Sequence, residues 1–339
     1  MFEKETTATP LIPERIVDLL RAPNQLESSD LVLESNALVC SENNRRFEHV
    51  SGVPSLLQFD DIADPRVTQK VKDFYEEYPF PNYEGIEEFG DLVSKGRQNL
   101  FSTQLLSSIG YNKTVLECGC GTGQLSHFLQ LNHNHVLGVD MSLNSLKLAI
   151  EHKLRNGLER SGFVQMNIFD LAIKDNSFDI AISHGVLHHT PDPSRAFSEI
   201  VRKVKPGGVV MVGLYNKYGR VPTWLRSKLI GTLGPNLDYV VRSRIHDKTK
   251  ADIWIKDQYY NPHESWHSLD EVLGWFEENN VEFLNTSPAI LGTDGEFCEN
   301  LFKKTKCGNF YQRLVTQLSW IFTISREGAL FDIIGRKCG

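Results

Sequence analysis

Val115-Leu-Glu-Cys-Gly-Cys-Gly-Thr-Gly123 is the stretch that decides how this chain folds. An apolar strand runs into glycines at 119, 121 and 123, and Leu125, Phe128 and Leu129 then recur at helical spacing. Glycine belongs where the backbone takes torsions closed to other residues, or where a ligand approaches it closely. Position 124 is Gln, so the spacing is not Gly-x-Gly-x-x-Gly and a dinucleotide pyrophosphate site is disfavoured. A glycine turn by itself only tightens a strand–helix connection. A second element gives it weight: His135-Val-Leu-Gly-Val-Asp140 reads as the next strand and ends in a carboxylate, seventeen positions after Gly123. Asp140 there can accept hydrogen bonds from both hydroxyls of a ribose, or favour the start of a helix that Ser142 caps. Beside the glycine loop, nucleoside binding is the better account.

Outward from this centre, strands and helices alternate, which implies βαβ units around a parallel sheet. Phe163-Val-Gln-Met and Phe178-Asp-Ile-Ala-Ile-Ser read as strands three and four, and Phe197, Ile200, Val201 and Val204 as a helix face. Lys205-Pro-Gly-Gly then ends that helix and releases Val209-Val-Met-Val-Gly-Leu, strand five. Residues 215–266 break the rhythm and form an insertion beside the strand ends where α/β sheets bind ligands. Ser268-Leu-Asp-Glu is a capping box, Val281-Glu-Phe-Leu a sixth strand, 309–324 a helix and Ala329-Leu-Phe-Asp-Ile-Ile-Gly the closing strand. Upstream, 11–22 reads as a short helix, and strands at 31–33, 37–40 and 46–50 complete a small α+β region over 1–66. Residues 67–94 hold the aromatic segment Lys70-Val-Lys-Asp-Phe-Tyr-Glu-Glu-Tyr-Pro-Phe-Pro-Asn-Tyr83, whose prolines favour an extended path. It is either a strap across the core or a flap over a pocket. Residues 95–339 make the main domain, with Leu100, Phe101, Leu105 and Ile109 on one helical face at its start.

With 339 residues, 40% of them hydrophobic, the chain can bury a full α/β core. Its net charge of −7 argues against a nucleic-acid surface spread over the whole protein. No apolar run approaches the ~20 residues that cross a bilayer, and the start lacks the pattern of a secretory signal. Six cysteines form no Cys-x-x-Cys pair, so neither a zinc knuckle nor a disulfide framework is indicated, and a reducing, cytoplasmic setting is expected.

Residues 114–213 resemble a class I S-adenosylmethionine-dependent methyltransferase, of the broad type 11 group that includes quinone methyltransferases. The matching text is Leu116-Glu-Cys-Gly-Cys-Gly-Thr-Gly, Gly138-Val-Asp-Met-Ser, Asn167-Ile-Phe-Asp, Asn176-Ser-Phe-Asp-Ile-Ala-Ile-Ser, Gly185-Val-Leu-His-His and Val204-Lys-Pro-Gly-Gly. The resemblance implies an α/β, Rossmann-like, seven-stranded and mostly parallel sheet with a lid insertion after strand five. It implies S-adenosylmethionine as cofactor and in-line methyl transfer to a small-molecule acceptor. Transfer to RNA such as tRNA, and a catalytically silent cofactor-binding subunit, are the alternatives. Leu38-Val-Cys, Phe47 and Gly52-Val-Pro are also similar to small zinc-ribbon-like modules that accompany some methyltransferases, with Cys40 the one expected cysteine present.

Carried over residue by residue, Glu117 and the loop Gly119, Gly121, Gly123 lie along the methionine part of the cofactor. Asp140 holds the ribose and Met141 packs on the adenine. Asn167 stands where the family has an Asp for the adenine amino group, and its carbonyl can accept the same bond. The Ile168 backbone N–H serves adenine N1. The sulfonium is already activated, so proximity supplies most of the rate, and a base is needed only if the acceptor keeps its proton. His184 and His189 are the candidate bases, although His188 and His189 can equally pin the turn Thr190-Pro-Asp-Pro. No metal site is expected, since the histidine spacing fits none. The lid segment is expected to have a mixed role, packing over the site with some of Tyr259, Tyr260, His263 and Glu264 facing the acceptor.

Overall fold

The computed structural model describes residues 9–23, 29–58, 64–234, 238, 241, 242, 254–256, 258–294, 299–325 and 328–339. The chain opens with helix α1 (Glu14–Val17) and a three-stranded antiparallel sheet of β1 (Leu31–Leu33), β2 (Ala37–Cys40) and β3 (Arg46–Glu48). Helices α2 (Pro65–Glu77), α3 (Phe89–Gln98) and α4 (Leu100–Ile109) follow. Then come β4 (Thr114–Cys118), α5 (Gln124–Leu129), β5 (His135–Asp140), α6 (Leu143–Arg155), β6 (Ser161–Gln165), β7 (Phe178–His184), α7 (Pro193–Lys203) and β8 (Val204–Tyr215). Helices α8 (Val221–Leu233) and α9 (Leu269–Glu278), strand β9 (Val281–Ser287), helix α10 (Phe310–Thr323) and strand β10 (Leu330–Lys337) complete the described elements.

Strands β4 to β10 form one sheet in the order β6-β5-β4-β7-β8-β10-β9. Neighbours from β6 to β8 run parallel, and β10 lies antiparallel to both β8 and β9. Successive residues of a strand serve opposite faces. Leu116, Leu137 and Val212 enter one apolar core, while Val115, Val136 and Met211 enter the other. Both faces are therefore covered, as a parallel sheet requires. The first core also takes in Ile12, Ile16, Leu20 and Leu38 of the N-terminal region. That region covers the β6 edge as well, through Leu56 N–H to Gln165 O at 2.9 Å and Gln165 N–H to Pro54 O at 2.8 Å. Among the described residues no helix is long and apolar enough to cross a membrane.

Local chemistry corrects three sequence-based boundaries and one expected burial. The 11–22 helix shrinks to Glu14–Val17, and Leu20 turns to bridge Ile173. The extended path expected from residue 70 begins only at Tyr78: Asp64 caps α2, Pro65 occupies its first turn, and the helix stops before Pro79. Strand β8 begins at Val204, directly after α7. Leu100, expected on the buried face of α4, is exposed, while Leu105 and Ile109 are buried.

Candidate active site

The strand order turns at β4 and β7, so the loops leaving β4, β5 and β7 open a crevice at the carboxyl ends of the sheet. A cavity of about 500 Å³ lies there, within the usual size range for small-molecule sites. Glu117, Gly119, Gly121, Asp140, Met141, Asn167, Ile168, His184 and His189 all line it. The fold thus brings together nine residues from four separate segments of the chain.

The glycine loop is held in the left-handed region, with φ of +76° at Gly119, +52° at Gly121 and +76° at Gly123. A Cβ on Gly119 would meet Val186 at 2.4 Å, and one on Gly121 would meet the Phe80 carbonyl at 2.2 Å. Gly123 plays a different part from the one expected. Its missing side chain faces Phe163 and Ala149 in the core, and it does not line the cavity. The aromatic segment lies on the loop as strap and wall together. Thr122 Oγ1 donates to Pro81 O at 2.6 Å, Gln124 Nε2 to Asn82 O at 2.7 Å and Tyr83 Oη to Thr122 O at 2.8 Å. Phe80 and Pro81 also line the cavity.

Asp140 accepts from Gly121 N–H and Ser142 N–H, each at 2.8 Å. Burial raises its pKa, and these backbone donors oppose the rise. Glu117 is more strongly affected. Burial pushes its carboxyl up to about 7 against the Ser126 hydroxyl, which donates to it. Asn167 is fully buried, and its Oδ1 accepts from Phe169 N–H at 3.2 Å within its own loop. One lone pair of that oxygen is thereby committed.

His184 ends β7 and stacks on Phe101, ring centroids 4.9 Å apart. Its Nδ1 lies 2.7 Å from Asp332 Oδ1, on β10. The two side chains meet across β8, where both pair with Gly213. A Cβ on Gly213 would stand 2.6 Å from Asp332 Oδ1 and 2.8 Å from His184 Nδ1, so the contact requires glycine. Burial lowers the His184 pKa, but the Asp332 carboxylate, with help from Glu117, outweighs it and holds the imidazole above its ordinary value. A carboxylate at Nδ1 fixes the tautomer and leaves Nε2 for another partner. Asp332 was missed in the sequence. Its one signal was an acid in the middle of an apolar strand.

The lid residues are placed otherwise than expected. Tyr259, Tyr260, His263 and Glu264 do not line the cavity. Arg220 is buried, and a buried guanidinium needs anionic and carbonyl partners. Glu264 supplies both carboxylate oxygens to it, and Gln258 supplies its side-chain and backbone oxygens. Tyr259 donates to Asp238, Tyr260 is exposed, and the His263 carbonyl meets His189 Nδ1 at 2.8 Å. Trp254, Gln258 and Tyr215 line the cavity instead. His188 and His189 both meet the lid: besides the His189 contact, His188 O accepts from Ser265 N–H at 2.8 Å.

A methyltransferase domain model matches residues 116–212. An uncharacterised protein of Synechococcus sp. is 27% identical across 65% of this chain and 60% of its own length. The ubiquinone biosynthesis O-methyltransferase of Cronobacter sakazakii is 29% identical across 51% of this chain and 63% of its own. Phosphoethanolamine N-methyltransferase 2 of Caenorhabditis elegans is 32% identical across 67% of this chain and 53% of its own. The chain thus spans between 53% and 63% of the length of these curated relatives.

Proposed function

We propose that this chain, which carries a class I S-adenosylmethionine-dependent methyltransferase domain, transfers the methyl group of that cofactor to a small-molecule acceptor held beneath Trp254 and Gln258. The observation that carries the reading is one continuous cavity wall. It joins the glycine loop, Asp140 and Met141 to His184, which is backed by Asp332.

The residues divide the work. Asp140 and Asn167 present oxygens to the nucleoside, Gly119 and Gly121 let the backbone close on it, and Glu117 offers a carboxylate to an ammonium group. When bound, S-adenosylmethionine supplies a methyl on a sulfonium leaving group, so the acceptor–carbon bond forms as the sulfur–carbon bond breaks. Phe80, Pro81, Trp254 and Tyr215 exclude water and orient the acceptor. His184 Nε2 takes the acceptor proton where there is one, and Asp332 keeps the ring aligned. The test is incubation with isotopically labelled cofactor and a metabolite extract, read by mass spectrometry. Label should appear in a small molecule and, where that acceptor carries a proton, its rate of appearance should fall roughly 10²–10⁴-fold in His184→Ala. Label appearing only in RNA or protein would overturn the reading.

A further inference from the structure

Gly52-Val-Pro-Ser55, at the end of the N-terminal sheet, does more than cover the β6 edge. Pro54 has no N–H, so this segment joins the larger sheet through the groups beside it. The Pro54 carbonyl accepts from Gln165 N–H, Leu56 N–H donates to Gln165 O, and Ser55 is left opposite Gln165 in a parallel bridge. The side chains then extend what the backbone begins. Ser55 Oγ donates to Gln165 Oε1 at 2.8 Å, and Gln165 Nε2 donates to Met141 O at 2.9 Å. A carbonyl only accepts, so Met141 O must face the NH₂ end of the amide, and the Oε1 end then needs a donor. The Ser55 hydroxyl is that donor. Gln165 is buried, so an amide end left unmet there costs free energy.

Asp140 and Met141 line the cavity, whereas Ser55 and Gln165 stand behind it. The ladder pairs Gln165 with Asp140, and Met166 N–H donates to Asp140 O at 3.1 Å. The Gln165 side chain adds a hold on the next peptide, the one from which Met141 leaves the backbone. The same N-terminal segment reaches a second loop. Asn167 Nδ2 donates to Gln58 O at 3.5 Å while Asn167 Oδ1 accepts from Phe169 N–H. Neither backbone group can exchange its role, so the Asn167 amide is kept from turning over. Val53 belongs to one buried apolar cluster with Cys120 of the glycine loop and Leu146 of α6. Residues 53–58 thus stand behind all three loops assigned to the nucleoside.

We propose that Ser55 and Gln165 are positioning residues for the nucleoside half of the cofactor, which makes the N-terminal region a working part of that site. This role rests on the cofactor site described under the proposed function and holds whatever the acceptor. The test is calorimetry of the full chain with S-adenosylhomocysteine and with 5′-methylthioadenosine, which lacks the amino-acid part. Ser55→Ala should weaken both by the same factor, about three- to tenfold, the worth of one hydrogen bond. Gln165→Leu should weaken both further. Ser55→Thr keeps the hydroxyl and should bind within about twofold of the unaltered chain. Without ligand, Ser55→Ala should melt less than about 4 °C lower, so that lost affinity is not lost folding. Unchanged affinity in Ser55→Ala overturns the proposal, as does Ser55→Thr binding no better than Ser55→Ala. So does a loss for S-adenosylhomocysteine that 5′-methylthioadenosine does not share. An unaltered chain that fails to bind S-adenosylhomocysteine overturns the cofactor assignment itself, and this role with it.

Discussion

At the scale of single residues, the site rests on one missing side chain. Gly213 lets His184 and Asp332 meet, so Gly213→Ala should separate them. Its kcat should fall about as far as that of His184→Ala, roughly 10²–10⁴-fold, with a stability loss of about 1–3 kcal/mol. If Gly213→Ala keeps full turnover, the pair has no part in the reaction. Asp332→Asn should move the acidic limb of kcat/KM to lower pH, because the carboxylate that raises the His184 pKa is gone. Glu117 makes a separate claim about stability. Its folded carboxyl titrates near 7, against 4.5 ordinarily, so between those values the folded state holds a proton that the unfolded chain has released. Stability should therefore fall as pH rises through that window and level off above it. Glu117→Gln should flatten the slope, a relative gain on the order of 2–4 kcal/mol in urea unfolding above about pH 7. Glycines and strand-end acids were legible because their backbone and charge demands are local. Asp332 was not, since the residue it serves lies 148 positions away.

At the scale of elements, the strap and the lid hold the cavity closed by different means. The strap is pinned through its own Pro81 and Asn82 carbonyls, which accept from Thr122 and Gln124 beside the glycine loop. A methyl group at Gly121 would drive into the Phe80 carbonyl at a φ that disfavours any side chain. Gly121→Ala should loosen residues 78–83 to hydrogen exchange and weaken cofactor binding in calorimetry, with a stability loss of about 1–3 kcal/mol. The lid is held by the buried Arg220–Glu264 pair, and Glu264→Gln should cost about 3–5 kcal/mol, because it leaves a guanidinium without its countercharge. Unchanged thermal melting of that variant would mean the pair contributes nothing to lid closure. Strand positions could be read from apolar runs between turns. Helix α2 could not, because Pro79 and Pro81, which forbid a helix, lie beside the aromatic run, while the Asp64-Pro65 pair that starts the helix stands well upstream of it. The lid aromatics misled for a related reason. Tyr, His and Glu orient substrates, but they also satisfy a buried arginine, and sequence does not show which partner lies within reach.

At the scale of the whole molecule, the sheet order sets where ligands go. Calorimetry should show binding of S-adenosylmethionine and its demethylated product and none of NAD, and Asp140→Ala should weaken the former by about 1–3 kcal/mol. NAD binding alone would detach this sheet from the cofactor it is assigned. The same sheet carries a consequence for the history of each molecule. Strand β10 is the last element in chain order, yet it sits inside the sheet, between β8 and β9. Leu330 pairs with Tyr215, 115 positions earlier. Such distant pairing is slow, because a long loop must close before any contact rewards it. A refolding or newly synthesised chain should therefore pass through an interval in which β4, β5 and the glycine loop are formed while Asp332 is still absent from His184. In pulse-labelled hydrogen exchange, the amides of β10 should gain protection after those of β5. Competence to bind nucleoside should come first in the life of the chain, and competence to catalyse only when its final strand slides home.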